Sequence, residues 1–155
     1  MFAAYLFLVF GGMPVATKGD PLPLERFVVR TAMRAAMKNE LGKEAPFPVS
    51  VEHLNNGAKL YRNNCGGCHG VGDHENLMAK AMFPPAPQLF RPNHDVTDDE
   101  IGKIYWKVKN GIRLTGMPSY ADILKDEEIW EVSLFLKNAD KLPDEAKKTL
   151  IGDIH

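Results

Sequence analysis

The chain has 155 residues, 45% of them hydrophobic, with 19 Lys and Arg against 20 Asp and Glu, giving a formal charge of −1. That length suits one small domain with an extension, and near-neutrality leaves no basic footprint for nucleic acid. Two cysteines exclude a disulfide scaffold, and there is no phosphate-binding glycine motif, internal repeat or low-complexity tract.

Residues 1–15 are almost wholly apolar, with Phe2, Leu6, Phe7, Leu8 and Phe10 among them, and no charged side chain precedes Lys18. The stretch is about 16 residues against the ~20 that a bilayer core needs, and it lacks the basic start and small-residue cleavage site of a signal peptide. We read residues 1–20 as an uncleaved membrane anchor, with an exported soluble protein as the alternative. Pro21-Leu22-Pro23 is a break, and a helix is expected over about 24–41. Arg26, Arg30, Arg34 and Lys38 recur at steps of four and form one basic stripe on it. Residues 1–40 carry five basic against three acidic side chains, a net of +2. Such a stripe suits anionic headgroups or an acidic partner subunit as well as plain solvation, though an anchored chain would carry it against the positive-inside tendency. Ala45-Pro46-Phe47-Pro48 reads as a short stiff linker, so that 21–49 joins the anchor to a domain over 50–155.

In that domain Ser50 can cap a helix over about 51–64, with Leu54, Ala58 and Tyr61 on one stripe. Thr97-Asp98-Asp99-Glu100 has the form of a capping box ahead of Ile101, Ile104, Tyr105 and Val108, in a helix that should stop near Gly111. Asp126 opens a further helix through about Asn138 with a broad apolar face. Trp106 and Trp130 fall inside these helical patterns and are expected to fill the core. Nothing in the region alternates like a strand. The expected fold is all-α and small, with too thin a core to be stable without a bound group.

Between the first two helices lies Cys65-Gly66-Gly67-Cys68-His69, a C-x-x-C-H run that uses both cysteines. Two thiols three positions apart can add across the two vinyl groups of one porphyrin, and the next residue brings an imidazole under the iron. Structural zinc would need a second ligand pair, and thioredoxin-like chemistry a βαβ context; neither is present. The motif therefore points to one covalently bound haem c with His69 as an axial iron ligand. Met117, in Gly116-Met117-Pro118, is the candidate for the second ligand, because the glycine permits close approach and the proline restrains Met117 to an extended backbone. Met78 and Met82 are rivals at a helical spacing better suited to packing, and His74 or His94 are rivals of another type. His53, His74, His94 and His155 otherwise read as surface residues.

Over roughly residues 50–140 the sequence resembles the class I single-haem c-type cytochromes, and more closely the haem domains of bacterial cytochrome oxidase subunits. Cys65, Cys68, His69 and Met117 match the attachment and ligand positions of that family. Gly57 and Tyr61 match its first-helix contact positions, and Val132 and Phe135 their partners on the last helix. The resemblance implies a cytochrome c fold of three to five helices around the haem. It also implies that a backbone carbonyl at Pro84 or Pro85 accepts a hydrogen bond from the ligand histidine. Arg113 is expected to face a haem propionate, and Tyr120 to pack. The implied function is electron transfer, not catalysis by this chain alone, with redox proteins as partners, in particular a respiratory or photosynthetic membrane complex. The implied location is the periplasmic side of a bacterial inner membrane. The alternative is a haem peroxidase or gas sensor with an open sixth iron position, which would need distal polar groups such as Arg113 and Tyr120.

Overall fold

The computed structural model describes residues 2–72, 76–91 and 96–152, and these form helices and turns with no strand among them. In chain order the helices are α1 (Phe2–Val9), α2 (Glu25–Ala36), α3 (Val51–Asn64), α4 (Gly66–His69), α5 (Leu77–Ala81), α6 (Ile101–Asn110), α7 (Asp126–Lys137) and α8 (Asp144–Ile151). The domain thus has six helices among its described residues instead of three to five. The surplus consists of the short α4 and α5, whose lengths give no periodic signal, and α8, which the sequence did not mark.

Helix α3 begins where Ser50 predicts, since its hydroxyl accepts from the His53 N–H at 3.1 Å. Its buried face is Leu54, Gly57, Ala58 and Tyr61. That face packs on α7 and α8, and α6 packs on the other side of α7. At the α3–α7 crossing a methyl on Gly57 would stand 2.3 Å from the Glu131 carbonyl oxygen and 2.7 Å from Phe135 Cβ. Only a residue without Cβ lets the two backbones approach this far. Tyr61, Ile129, Val132 and Phe135 are fully buried around the crossing, with the Tyr61 and Phe135 rings 5.5 Å apart. Burial of each such side chain stabilises by about 1.5–3 kcal/mol. Helix α8 is bound to α3 from outside, by Arg62 Nη1 donating to Thr149 O at 3.0 Å and Asn55 Nδ2 to Glu145 Oε1 at 3.2 Å.

The start of α6 differs from the expected capping box. Its N-cap is Glu100, without a side-chain cap, and residues 96–98 form a preceding turn. Lysines instead tie this turn to the neighbouring helices: Lys137 Nζ of α7 donates to Thr97 O and Asp99 O, and Lys107 Nζ of α6 to Asp99 Oδ2. Helix α7 does open at Asp126, with the Glu128 carboxylate accepting from the Lys125 N–H at 2.7 Å. Trp130 is buried and stacks on Tyr105 with centroids 4.0 Å apart, while Trp106 is half-buried.

The segment read as a linker packs on the domain, since Ala45 and Phe47 lie against its core and Phe47 stacks on His53 at 4.2 Å. Upstream of it Met37 is buried and the Gly42 N–H donates to Glu100 Oε2 at 3.1 Å. His53 is accordingly more than a surface residue: its Nδ1 lies 2.9 Å from Glu131 Oε1, which also accepts from Asn56. Glu131 is buried on α7, and these two partners satisfy its Oε1 there. Helix α2 stops at Ala36, short of the expected 41, and a 3-10 turn follows at Lys38–Glu40. Arg26, Arg30, Arg34, Phe27, Val28 and Val29 are all exposed on it. Helix α1 is eight residues long, about 12 Å, and no helix among the described residues is long and apolar enough to cross a membrane.

Candidate functional site

The attachment motif follows directly from the end of α3. Cys65 caps that helix, its N–H donating to Tyr61 O at 2.7 Å, and α4 then makes one turn that returns the His69 N–H to Cys65 O at 2.9 Å. This turn puts Cys65, Cys68 and His69 on the wall of one largely apolar cavity of about 470 Å³. Such a volume falls in the range of small-molecule and cofactor sites.

Both thiols are unpaired. Burial first, and the neighbouring Cys68 second, push the Cys65 thiol up to about 12, only partly offset by a hydrogen bond with Tyr120. A thiol held neutral in this way is a poor redox nucleophile, which counts against thioredoxin-like exchange. The Tyr120 hydroxyl, raised to about 12 by burial and then by Cys65, donates to Asn64 O at 2.7 Å. The Tyr61 hydroxyl is raised by burial too and donates to Gly70 O at 2.8 Å. Two neutral phenols thereby close the backbone around the motif.

His69 Nδ1 is 2.8 Å from Pro87 O, and with the proton on Nδ1 the ring donates there. The accepting carbonyl therefore belongs to Pro87 and not to Pro84 or Pro85, both of which line the cavity instead. The reason is the way the segment is pinned: Ala86 N donates to Ala79 O, Gln88 Nε2 to Cys68 O and Leu89 N to His69 O. These bonds lay 86–89 beside the motif and bring the third proline of the run to the ring. A bond at Nδ1 fixes the imidazole's orientation and would leave Nε2 as the nitrogen that could ligate a metal.

Met117 lines the cavity from the loop after α6. Gly111 ends that helix with φ +65°, and the loop returns on itself, with Ile112 N donating to Met117 O at 3.2 Å and Met117 N to Thr115 Oγ1 at 3.1 Å. Tyr120 N and Ser119 Oγ tie its far end to α6 through Val108 O and Lys109 O. Met82 also lines the cavity, with its terminal methyl against Gly116, whereas Met78 is exposed. Gly116 thus makes room for a methionine. His74, His94 and His155 lie outside the described residues.

Arg113 is exposed and absent from the cavity wall. The tight 112–117 turn projects Arg113 and Leu114 into solvent, Leu114 at φ 61° and 92% exposed. Among the described residues, the carboxylate and the ammonium on the wall belong to Asp99 and Lys107. Lys107 was not singled out in the sequence; its place three residues after Ile104, next to the buried stripe of α6, is the one signal that could have pointed to it. Met33, by contrast, reaches the cavity from α2, and no local pattern announces it.

Two thiols, an imidazole oriented by a backbone carbonyl and a thioether on one apolar wall fit a covalently attached haem. No cluster of His, Cys, Asp and Glu suited to a bare metal ion occurs among the described residues.

Comparison with known proteins agrees. The family described as cytochrome C oxidase, cbb3-type, subunit III, matches residues 52–136. The chain is 30% identical over 83 residues to cytochrome c6 of Parathermosynechococcus lividus, covering 54% of this chain and 86% of that protein. It is 26% identical over 141 residues to the quinohemoprotein alcohol dehydrogenase ADH IIB of Pseudomonas putida, covering 82% of this chain but only 19% of the dehydrogenase. No solved structure gives a significant match.

Proposed function

The chain belongs to the cytochrome c oxidase, cbb3-type, subunit III family of cytochrome c domains, and from that premise we propose that it is a single-haem electron carrier tethered at a membrane. The haem, when bound, supplies a one-electron couple at iron. Cys65 and Cys68 would hold the porphyrin by thioether bonds. His69, aligned by Pro87 O, and Met117, held by the 111–118 loop, would ligate the iron, and the thioether would favour its reduced state. Tyr61, Val108 and Leu136 exclude water from the wall. Pro84 and Pro85 form the wall beside His69.

One observation carries this reading: both thiols, the histidine and the methionine, from two segments about 50 positions apart, line a single cavity. The open-site alternative gains no such support, since Arg113 is in solvent and the Tyr120 hydroxyl is committed to Asn64 O. Optical spectra test the assignment. Wild type should show low-spin haem with the weak far-red band of an iron–methionine bond, kept in Met82→Leu and lost in Met117→Ala. A high-spin wild type that binds carbon monoxide readily would overturn it.

The tether rests on α1 and α2. Phe2 and Phe10 are 74% and 82% exposed, and α2 adds exposed Phe27 and Val28 next to Arg26, Arg30 and Arg34. Apolar side chains beside a cationic stripe suit an anionic bilayer surface. We place the haem domain on the periplasmic side of a bacterial inner membrane, delivering electrons to or from a respiratory or photosynthetic complex. Binding of the protein to anionic but not neutral vesicles, lost in the Arg26, Arg30, Arg34→Gln triple variant, is expected. Binding to neither kind of vesicle would remove the tether.

A further inference from the structure

A porphyrin attached through its vinyl groups still carries two carboxylates, and a carboxylate entering an apolar cavity needs a donor or a counter-charge. Resting on the haem reading above, we propose that Lys107 is the cation that receives a haem carboxylate, and that Asp99 positions it.

Three observations carry the assignment. First, Lys107 supplies the one cationic ammonium or guanidinium among the described residues of the wall, and Arg113 is not on the wall. Second, Lys107 is aimed. Its Nζ donates to Asp99 Oδ2 at 2.5 Å, with the lysine side chain 29% exposed and the aspartate 37%. Asp99 is itself fixed from α7, because Lys137 Nζ donates to its backbone carbonyl at 3.0 Å and to Thr97 O. Lys137 is occupied with backbone oxygens and leaves the cavity to Lys107. Third, an ammonium has three N–H donors, and the bond to Asp99 uses one. The remaining two suit the two oxygens of a carboxylate, as a point charge and not as a planar fork.

The same arrangement gives the two residues opposite electrostatic effects on the iron. A cation at the cavity wall disfavours the extra positive charge of the oxidised state, and an anion favours it. Both residues are partly exposed, so solvent screens each effect, but their signs remain opposed. A purely structural latch would behave otherwise. Removal of either partner would then break the same bridge, loosen the same 96–100 turn and move the potential in the same direction.

The test is the midpoint potential of the haem-loaded full chain in Lys107→Gln, Asp99→Asn and Arg113→Gln, each first checked by its optical spectrum for low-spin haem. Lys107→Gln is expected to lower the potential and Asp99→Asn to raise it, each changing the reduced-to-oxidised ratio at fixed ambient potential by at least about threefold. Arg113→Gln should change it by less, and Lys107→Arg should restore most of the wild-type value. If Lys107→Gln takes up no haem, Asp99→Asn and Lys107→Arg still read the field. Shifts of the same sign in the glutamine and asparagine variants, or none while the spectrum is intact, overturn the proposal and leave the haem reading standing. A wild type without haem absorbance would instead overturn the reading beneath it.

Discussion

Replacing Gly57 by alanine sets two physical effects of opposite sign against each other. In an exposed helix interior the change would stabilise by about 1 kcal/mol, because alanine loses less backbone entropy. At the α3–α7 crossing the new methyl would stand 2.3 Å from Glu131 O and 2.8 Å from Glu131 C, both backbone atoms of α7, and 2.7 Å from Phe135 Cβ. Carbon and oxygen need roughly 3.3–3.5 Å, so the two helices must separate by about 1 Å. None of these three atoms is the end of a flexible side chain. The separation loosens Ala58, Tyr61, Val132 and Phe135, all at 0% exposure. Overpacking of this kind costs about 1–3 kcal/mol, and a backbone clash lies at the upper end or beyond, so the net result is a loss of about 1–3 kcal/mol. The assay is urea unfolding of the haem-loaded protein, followed by far-UV circular dichroism and haem absorbance. Gly67→Ala serves as the control, since a methyl there meets nothing within 4 Å. A Gly57→Ala protein that unfolds at the same or higher urea than wild type would refute the close-approach argument.

Three further outcomes are expected. Gly111→Ala, at φ +65° and with its methyl 2.5 Å from Pro118 C, should cost about 2 kcal/mol or more and weaken the iron–methionine band, read by thermal melting and by the spectrum. Tyr61→Phe removes the buried donor to Gly70 O and should lower unfolding stability by about 1–3 kcal/mol with the spectrum unchanged. The third outcome concerns acid. The Lys109 ammonium first, and the Tyr105 hydroxyl second, hold the Asp126 carboxyl below its ordinary range. A group with a lowered folded value contributes stability above its unfolded value and loses it as pH falls through the folded one. Asp126→Asn should therefore flatten the decline in urea midpoint between about pH 5 and pH 2, by less than about 1 kcal/mol because the pair is exposed. An unchanged acid decline would remove this pair from the account.

What the sequence determined by itself is the local chemistry. Ser50 ahead of an apolar stripe marks α3 to the residue, Asp126 marks α7, and Gly111 ends α6, because caps and periodicity act over one or two turns. Cys65, Cys68 and His69 are legible as a haem motif because five adjacent residues hold the tether and one ligand. Met117 is singled out by its neighbours Gly116 and Pro118. Only the tertiary structure decided which of three prolines presents its carbonyl to His69, since that depends on backbone bonds from 86–89 to α4 and α5. It also moved Arg113 out of the site and Lys107 into it, because the 112–117 turn, closed on itself, leaves Arg113 exposed while a helical position near Ile104 faces the cavity. Met33, His53 and α8 acquire their places through contacts between segments far apart in the chain, and such contacts leave no periodic trace in either segment alone.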